Sequence, residues 1–123
     1  MARILVADDD VDIRDLIDFK LSSLGHDVVA VGDGDLALQQ VRSQAFDLAV
    51  LDVSMPVLSG LDALRAIRAD PEHARLPVLL LTGHSDEARR QAGLEAGADD
   101  YLTKPFSPRH LGDVVETMLG PSD

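Results

Sequence analysis

The sequence predicts an α/β fold, a five-stranded parallel sheet doubly wound by helices, in which strand and helix alternate five times. Three observations carry this. Five short apolar runs recur along the chain, and four of them are continuous instead of alternating, as strands covered on both faces are. The segments between the runs have helical period. Caps and breakers stand where those segments start and stop. Regular alternation of this kind implies parallel strands joined by crossovers, with helices on both faces of the sheet.

The first run is Ile4-Leu5-Val6-Ala7. The helix after it places Ile13, Leu16, Ile17, Leu21 and Leu24 on one face, with Phe19 on the polar side and Gly25 as its stop. The second run is Val28-Val29-Ala30-Val31, followed by a helix over about residues 34–44 that carries Leu36, Ala37, Leu38 and Val41. The third run is Leu48-Ala49-Val50-Leu51. Its helix has Ser59 as N-cap and Asp62 three residues on, a variant of the capping box. That helix runs through Leu61, Leu64 and Ile67 and stops before Asp70-Pro71. The fourth run is Val78-Leu79-Leu80-Leu81, with a helix from about residue 85 to 96 and Gly97 as its stop. The fifth run, Tyr101-Leu102, is the weakest. Ser107 as N-cap and Pro108 at the first helical position start the last helix, which ends near Leu119.

At 123 residues the chain is the size of one domain. Residues 1–120 are read as that domain and residues 121–123 as a tail. Asp and Glu number 22 against 11 Lys and Arg, a net charge of −11. Such a surface repels nucleic-acid phosphates and anionic membranes. The absence of cysteine removes disulfides, thiolate catalysis and thiolate zinc sites. His26, His73, His84 and His110 have no metal-ligand spacing. No apolar run has the roughly 18–20 residues of a membrane span, and no signal peptide is read at the start. A cytoplasmic protein is expected.

In a parallel sheet all strands end on one edge, and ligands bind there. Asp8, Asp9 and Asp10 follow the first run, Asp52 the third, Thr82 and Gly83 the fourth, and Thr103, Lys104 and Pro105 the fifth. The second run delivers only the turn Gly32-Asp33-Gly34. Carboxylates crowded in this way are costly unless a cation joins them. Magnesium suits them, being a hard ion that takes oxygen ligands and keeps waters. With Lys104 beside the metal, the site accepts an anion, and a phosphoryl group fits because its transfer needs charge neutralisation and positioning. An aspartate can be the nucleophile, with Thr82 donating a hydroxyl hydrogen bond. Other motifs fail. A calcium loop starting at Asp8 would have Ile13 where Gly is required and Phe19 where Glu is required. Gly32-Asp33-Gly34 lacks the third glycine of a dinucleotide fingerprint.

Four pieces, Ile4-Leu5-Val6-Ala7-Asp8-Asp9-Asp10, the segment from Leu51-Asp52 through Met55-Pro56 to Ser59-Gly60, Leu81-Thr82-Gly83, and Gly97-Ala98-Asp99-Asp100-Tyr101-Leu102-Thr103-Lys104-Pro105-Phe106, stand in order at the ends of the expected strands. Together they resemble a bacterial response-regulator receiver domain of the chemotaxis type, over essentially the whole chain. The resemblance implies the flavodoxin-like strand order 2-1-3-4-5. It implies Asp52 as phosphoacceptor, Asp9 and Asp52 as magnesium ligands with the Ser54 carbonyl, and Asp8 holding the ion through water. It also implies Lys104 pairing with Asp52 and then with the phosphoryl group, Thr82 and Tyr101 as the switch pair, and a cis bond before Pro105. Ser54 and His84 are expected to tune the lifetime of the phosphorylated state. A histidine kinase or histidine phosphotransfer protein is expected to dock on Asp12, Ile13 and Leu16 and on Phe106, Ser107 and Pro108. Output is expected through the face of the fourth helix, fifth strand and fifth helix. The family branch that dimerises there and carries DNA-binding domains has a basic fifth helix. Here that helix reads His110-Leu111-Gly112-Asp113-Val114-Val115-Glu116, so a monomer is favoured and no direct nucleic-acid contact is expected. The rival readings are a haloacid-dehalogenase-type metal-dependent phosphatase, suggested by Asp8-Asp9-Asp10-Val11, and an interaction module that does not use phosphorylation.

Overall fold

The computed structural model describes residues 2–83 and 87–120. Five strands and five helices alternate: β1 (Arg3–Ala7), α1 (Val11–Ser23), β2 (Asp27–Val31), α2 (Gly34–Ser43), β3 (Leu48–Asp52), α3 (Gly60–Ala69), β4 (Val78–Thr82), α4 (Glu87–Ala96), β5 (Asp100–Thr103) and α5 (Pro108–Leu119). The strands form one parallel sheet in the order β2-β1-β3-β4-β5. The order reverses between β1 and β3, so the loops after these two strands flank the crevice where open α/β sheets bind ligands.

The two-residue period of a strand divides the core into two layers. Leu5, Ala7, Ala49, Leu51, Val78 and Leu80 face Ala37, Leu38 and Val41 of α2 and Ala63, Leu64 and Ile67 of α3. Ile4, Val6, Leu48, Val50, Leu79 and Leu81 face Ile17 and Leu21 of α1 and Leu111 and Val115 of α5. β3 and β4 are buried along their whole length, which is why they are continuously apolar. The second run differs from expectation. β2 is an edge strand, its valines are half-buried and Ala30 is exposed, because only β1 flanks it. Leu16, Leu24 and Leu36 also remain 39–42% exposed. The apolar stripe of each helix is wider than the row that meets the sheet.

Helix starts follow the caps. The Asp10 side chain accepts from the amides of Asp12 and Ile13, Asp33 from Leu36, Ser59 from Asp62 and Ser107 from His110, each satisfying a donor that the first turn leaves unpaired. Asp10 is thus occupied as a cap. The α4 start expected near Ser85 lies outside the described residues. Gly93 is the buried residue of α4, and a Cβ there would sit 2.2 Å from Leu80 Cδ1. At the opposite edge Arg68 ties α3 to two loops, donating to Gly97 O (3.0 Å), Leu76 O (2.7 Å) and Asp99 Oδ2 (3.0 Å). Among the described residues no helix is long and apolar enough to cross a membrane.

The first turn of α3 bears directly on the end of β3. Gly60 N donates to Val53 O at 3.2 Å, and a Cβ on Gly60 would meet Asp52 O at 1.9 Å. Backbone cannot yield as a flexible side chain can. Gly60→Ala is therefore expected to lose about 1–3 kcal/mol or more of stability, read as a lower urea midpoint. An unchanged midpoint would mean that α3 does not pack this tightly on Asp52.

Candidate functional site

The carboxyl edge of the sheet gathers the predicted residues. Asp8 follows β1 and extends its ladder, donating from its amide to Val31 O at 3.1 Å. Its side chain is fully buried. Asp8 Oδ1 accepts from the Asp10 amide at 2.9 Å, and its carbonyl accepts from Arg14 at 3.0 Å. Asp52 is the last residue of β3 and only 6% exposed. Its Oδ1 accepts from the Ser54 amide at 3.3 Å. Asp9 is exposed at the mouth. One carboxylate oxygen from each of Asp8, Asp9 and Asp52 lies within 4.8 Å of the others. From β5, Lys104 extends its ammonium between the two buried acids, 2.9 Å from Asp8 Oδ2 and 3.3 Å from Asp52 Oδ2. Its amide donates to Thr82 O at 2.7 Å, and its bond to Pro105 is cis, as expected. Thr82 is buried at the end of β4.

Charge and burial oppose each other here. Asp52 is pushed up to about 6, first by burial and next by the charge of Asp8, while Lys104 and the Ser54 amide pull it back. Burial pulls Lys104 down, but its hydrogen bond to Asp8 and the charges of Asp52 and Asp8 prevail and hold it above the usual lysine range. Two buried carboxylates against one ammonium leave an excess of negative charge, with Asp9 adding to it. A donor set of carboxylate oxygens at this spacing fits a hard divalent cation.

The other predicted residues lie around this centre. Tyr101 is half-buried on β5, where its hydroxyl accepts from Arg90 at 3.0 Å and its ring lies 4.9 Å below that guanidinium. Ser54 is exposed just beyond Asp52. Ile13 and Phe106 are partly committed to the core layer of α1 and α5, whereas Asp12, Leu16 and Ser107 are exposed and Pro108 is half-buried. His84 lies outside the described residues. Sequence reasoning missed Arg14 and Arg90. Arg14 bonds the Asp8 carbonyl and abuts Gly32, where a Cβ would lie 2.9 Å from its guanidinium. Its position one turn into the first helix was the available signal. Arg90 reaches Tyr101 across two elements, and no local pattern announces that.

Comparison with known proteins agrees with this geometry. The family model of the response regulator receiver domain matches residues 4–116. The chain is 40% identical over 121 residues to PhoP of Bacillus subtilis, an alkaline phosphatase synthesis transcriptional regulatory protein, covering 98% of this chain and 50% of PhoP. It is equally 40% identical over 121 residues to MtrA of Mycobacterium tuberculosis, a DNA-binding response regulator, covering 98% and 52%. Among solved structures, the chemotaxis response regulator CheY4 of Vibrio cholerae superposes with TM-score 0.90 at 32% identity, covering 96% and 98% of the two chains. The receiver domain of the sensor histidine kinase PA1611 of Pseudomonas aeruginosa, which holds magnesium in its active-site cleft, superposes with TM-score 0.89 at 34% identity and covers 98% of each. The chain belongs to the response regulator receiver domain family of two-component signalling. It spans about half the length of PhoP and MtrA.

The raised Asp52 has a consequence for the metal-free fold. Unfolded, this carboxyl titrates at its ordinary value of 3.8, and burial beside Asp8 pushes it up to about 6 in the folded domain. As pH rises between these values the unfolded chain gives up the proton first. Stability is therefore highest below the unfolded value and falls until pH passes about 6. Asp52→Asn removes this fall and stabilises the metal-free domain above pH 6, read from urea titrations between pH 4 and 7 in chelator. A variant no more stable than the parent at pH 7 would contradict the crowding of charge.

Proposed function

We propose that this domain is a phosphoacceptor switch: Asp52 takes a phosphoryl group from a phosphohistidine on a histidine kinase or a histidine phosphotransfer protein. The observation that carries this is the buried Asp52 carboxylate bracketed by Asp8, Asp9 and the Lys104 ammonium. An Asp52 oxygen attacks phosphorus, the phosphorus–nitrogen bond to the donor imidazole breaks, and the ring leaves with its electron pair. Hydrolysis of the acyl phosphate by water returns Asp52 and inorganic phosphate.

Asp9, Asp52 and the Ser54 carbonyl, with Asp8 acting through water, would hold magnesium, which would neutralise charge on the transferred group. The residues of the chain do the rest. Ionised Asp52 is the nucleophile. Lys104 keeps Asp52 charged and follows the negative charge onto the phosphoryl oxygens, as a point charge on a flexible stem does. The Thr82 hydroxyl donates to one of those oxygens, and Tyr101 on the neighbouring strand registers that movement on the α4-β5-α5 face. By resemblance, Ser54, two residues after Asp52 in sequence, and His84, two residues after Thr82 in sequence, tune the loss of the phosphoryl group to water. Neither is an acid or amide that would orient that water, and the state is correspondingly long-lived. Asp12, Ile13, Leu16, Phe106, Ser107 and Pro108 meet the donor protein. The net charge of −11 disfavours contact of this domain with DNA. DNA binding of the kind in the name of MtrA would reside in a further part of a longer chain.

Acetyl phosphate with magnesium is expected to add one phosphoryl group by intact mass, and Asp52→Asn to take none. Labelling that survives in Asp52→Asn would refute the assignment. Lys104→Ala is expected to accept phosphate but to lose the response at Tyr101. As the chain has one tyrosine and no tryptophan, tyrosine emission reads that response directly. A response in Lys104→Ala equal to the parent's would remove Lys104 from the relay. Sustained turnover of a small phosphomonoester would instead favour a phosphatase.

A further inference from the structure

The second strand sends neither a carboxylate nor a cation to the site, yet each residue of the turn after it is committed. Asp33 caps α2. The Gly34 amide donates to Leu58 O at 3.1 Å, and a Cβ there would lie 2.1 Å from that oxygen. Gly32 faces a side chain instead. A Cβ on Gly32 would lie 2.9 Å from Arg14 Nη1, and that same nitrogen donates to Asp8 O at 3.0 Å. Gly32 does not have a positive φ. What glycine supplies here is room for the guanidinium, not the backbone freedom for which turns otherwise use it.

The bond from Arg14 matters because of what it holds. Asp8 stands one residue past the end of β1, where its amide closes the ladder to β2 on Val31 O at 3.1 Å. Among the described residues no backbone amide meets its carbonyl, and Arg14 takes that place. The Asp8 side chain is fully buried, with the Lys104 ammonium 2.9 Å from Oδ2. A carboxylate held at both main-chain groups and at its tip has one position to offer. Releasing the carbonyl would free the peptide that joins Asp8 to Asp9, and Asp9 is the exposed member of the acidic group. Charge argues the other way. Arg14 is a cation beside carboxylates that suit a cation, so by charge alone its removal would favour magnesium. Anchoring and charge thus predict opposite signs, and the two can be told apart.

Resting on the phosphoacceptor reading above, we propose that Arg14, seated on Gly32, is a positioning residue for the magnesium site: it fixes the Asp8–Asp9 peptide and with it the two acids on either side. The probe is magnesium alone, titrated by calorimetry into the domain, with the urea midpoint of each variant measured in chelator. Arg14→Met is expected to weaken magnesium binding about fivefold or more, as loss of a group that orients metal ligands does. Gly32→Ala keeps the charge and strains no backbone angle, but pushes the guanidinium off the carbonyl. It is expected to weaken binding likewise, and it carries the test if Arg14→Met does not fold. Together the two substitutions are expected to cost no more than the worse of them alone, because both remove one bond. Ile67→Val, a truncation in the core layer under α3, is expected to lower the urea midpoint and leave magnesium affinity within about twofold. That control separates positioning from a general loss of stability. Affinity unchanged or tightened in Arg14→Met would overturn the proposal. So would losses in Arg14→Met and Gly32→Ala that add, or an equal loss in Ile67→Val. If the parent itself takes up no magnesium, the metal site fails and this proposal falls with it.

Discussion

The arrangement of the whole carboxyl edge depends on one electrostatic compromise. Asp8 and Asp52 are buried side by side, and a single ammonium, that of Lys104, lies between them at 2.9 and 3.3 Å. Burying charge is expensive unless it is paired, and one cation cannot fully pair two anions. Burial, and next the charge of Asp8, raise the affinity of Asp52 for a proton. The shortfall of positive charge is the property a site needs if it is to welcome a divalent ion and a phosphoryl group in turn, since each changes the local charge by a large step. A fully satisfied ion pair at this position would be inert.

The scaffold holds that compromise in place from all sides. β1 and β3 are adjacent and parallel, so the residues that follow them emerge together. The Asp10 and Ser59 caps fix where α1 and α3 begin, and Gly60 lets α3 press on the backbone of Asp52. Stiffness is not uniform. α3 buries Gly60, Ala63, Leu64 and Ile67, whereas α4 buries Gly93. α4 is instead held by the polar contacts of Arg90 with the Tyr101 hydroxyl and ring. Few apolar contacts mean a low cost of local rearrangement. The element with the weakest hold on the core is thus the one that carries the partner of Tyr101, next to the strand that delivers Lys104.

What the sequence determined by itself was the set of elements and the edge on which the polar groups collect. Apolar runs of strand length, helical period and caps such as Ser59 and Ser107 are local signals, and parallel topology brings every strand end to one side. Asp8, Asp52, Thr82 and Lys104 were legible for that reason. The strand order and the roles of individual site residues came from resemblance, because spacing along the chain does not say which strands become neighbours. Tertiary structure alone decided how far β2 stands exposed and that Asp9 faces the mouth. It also decided that Lys104 spans both buried acids, that Arg90 meets Tyr101, and that Arg14 rests on Gly32 to hold the Asp8 carbonyl. Each of these depends on distances between segments far apart in sequence, or on backbone angles imposed by packing at both ends of a loop. A local pattern of residue types carries neither kind of information.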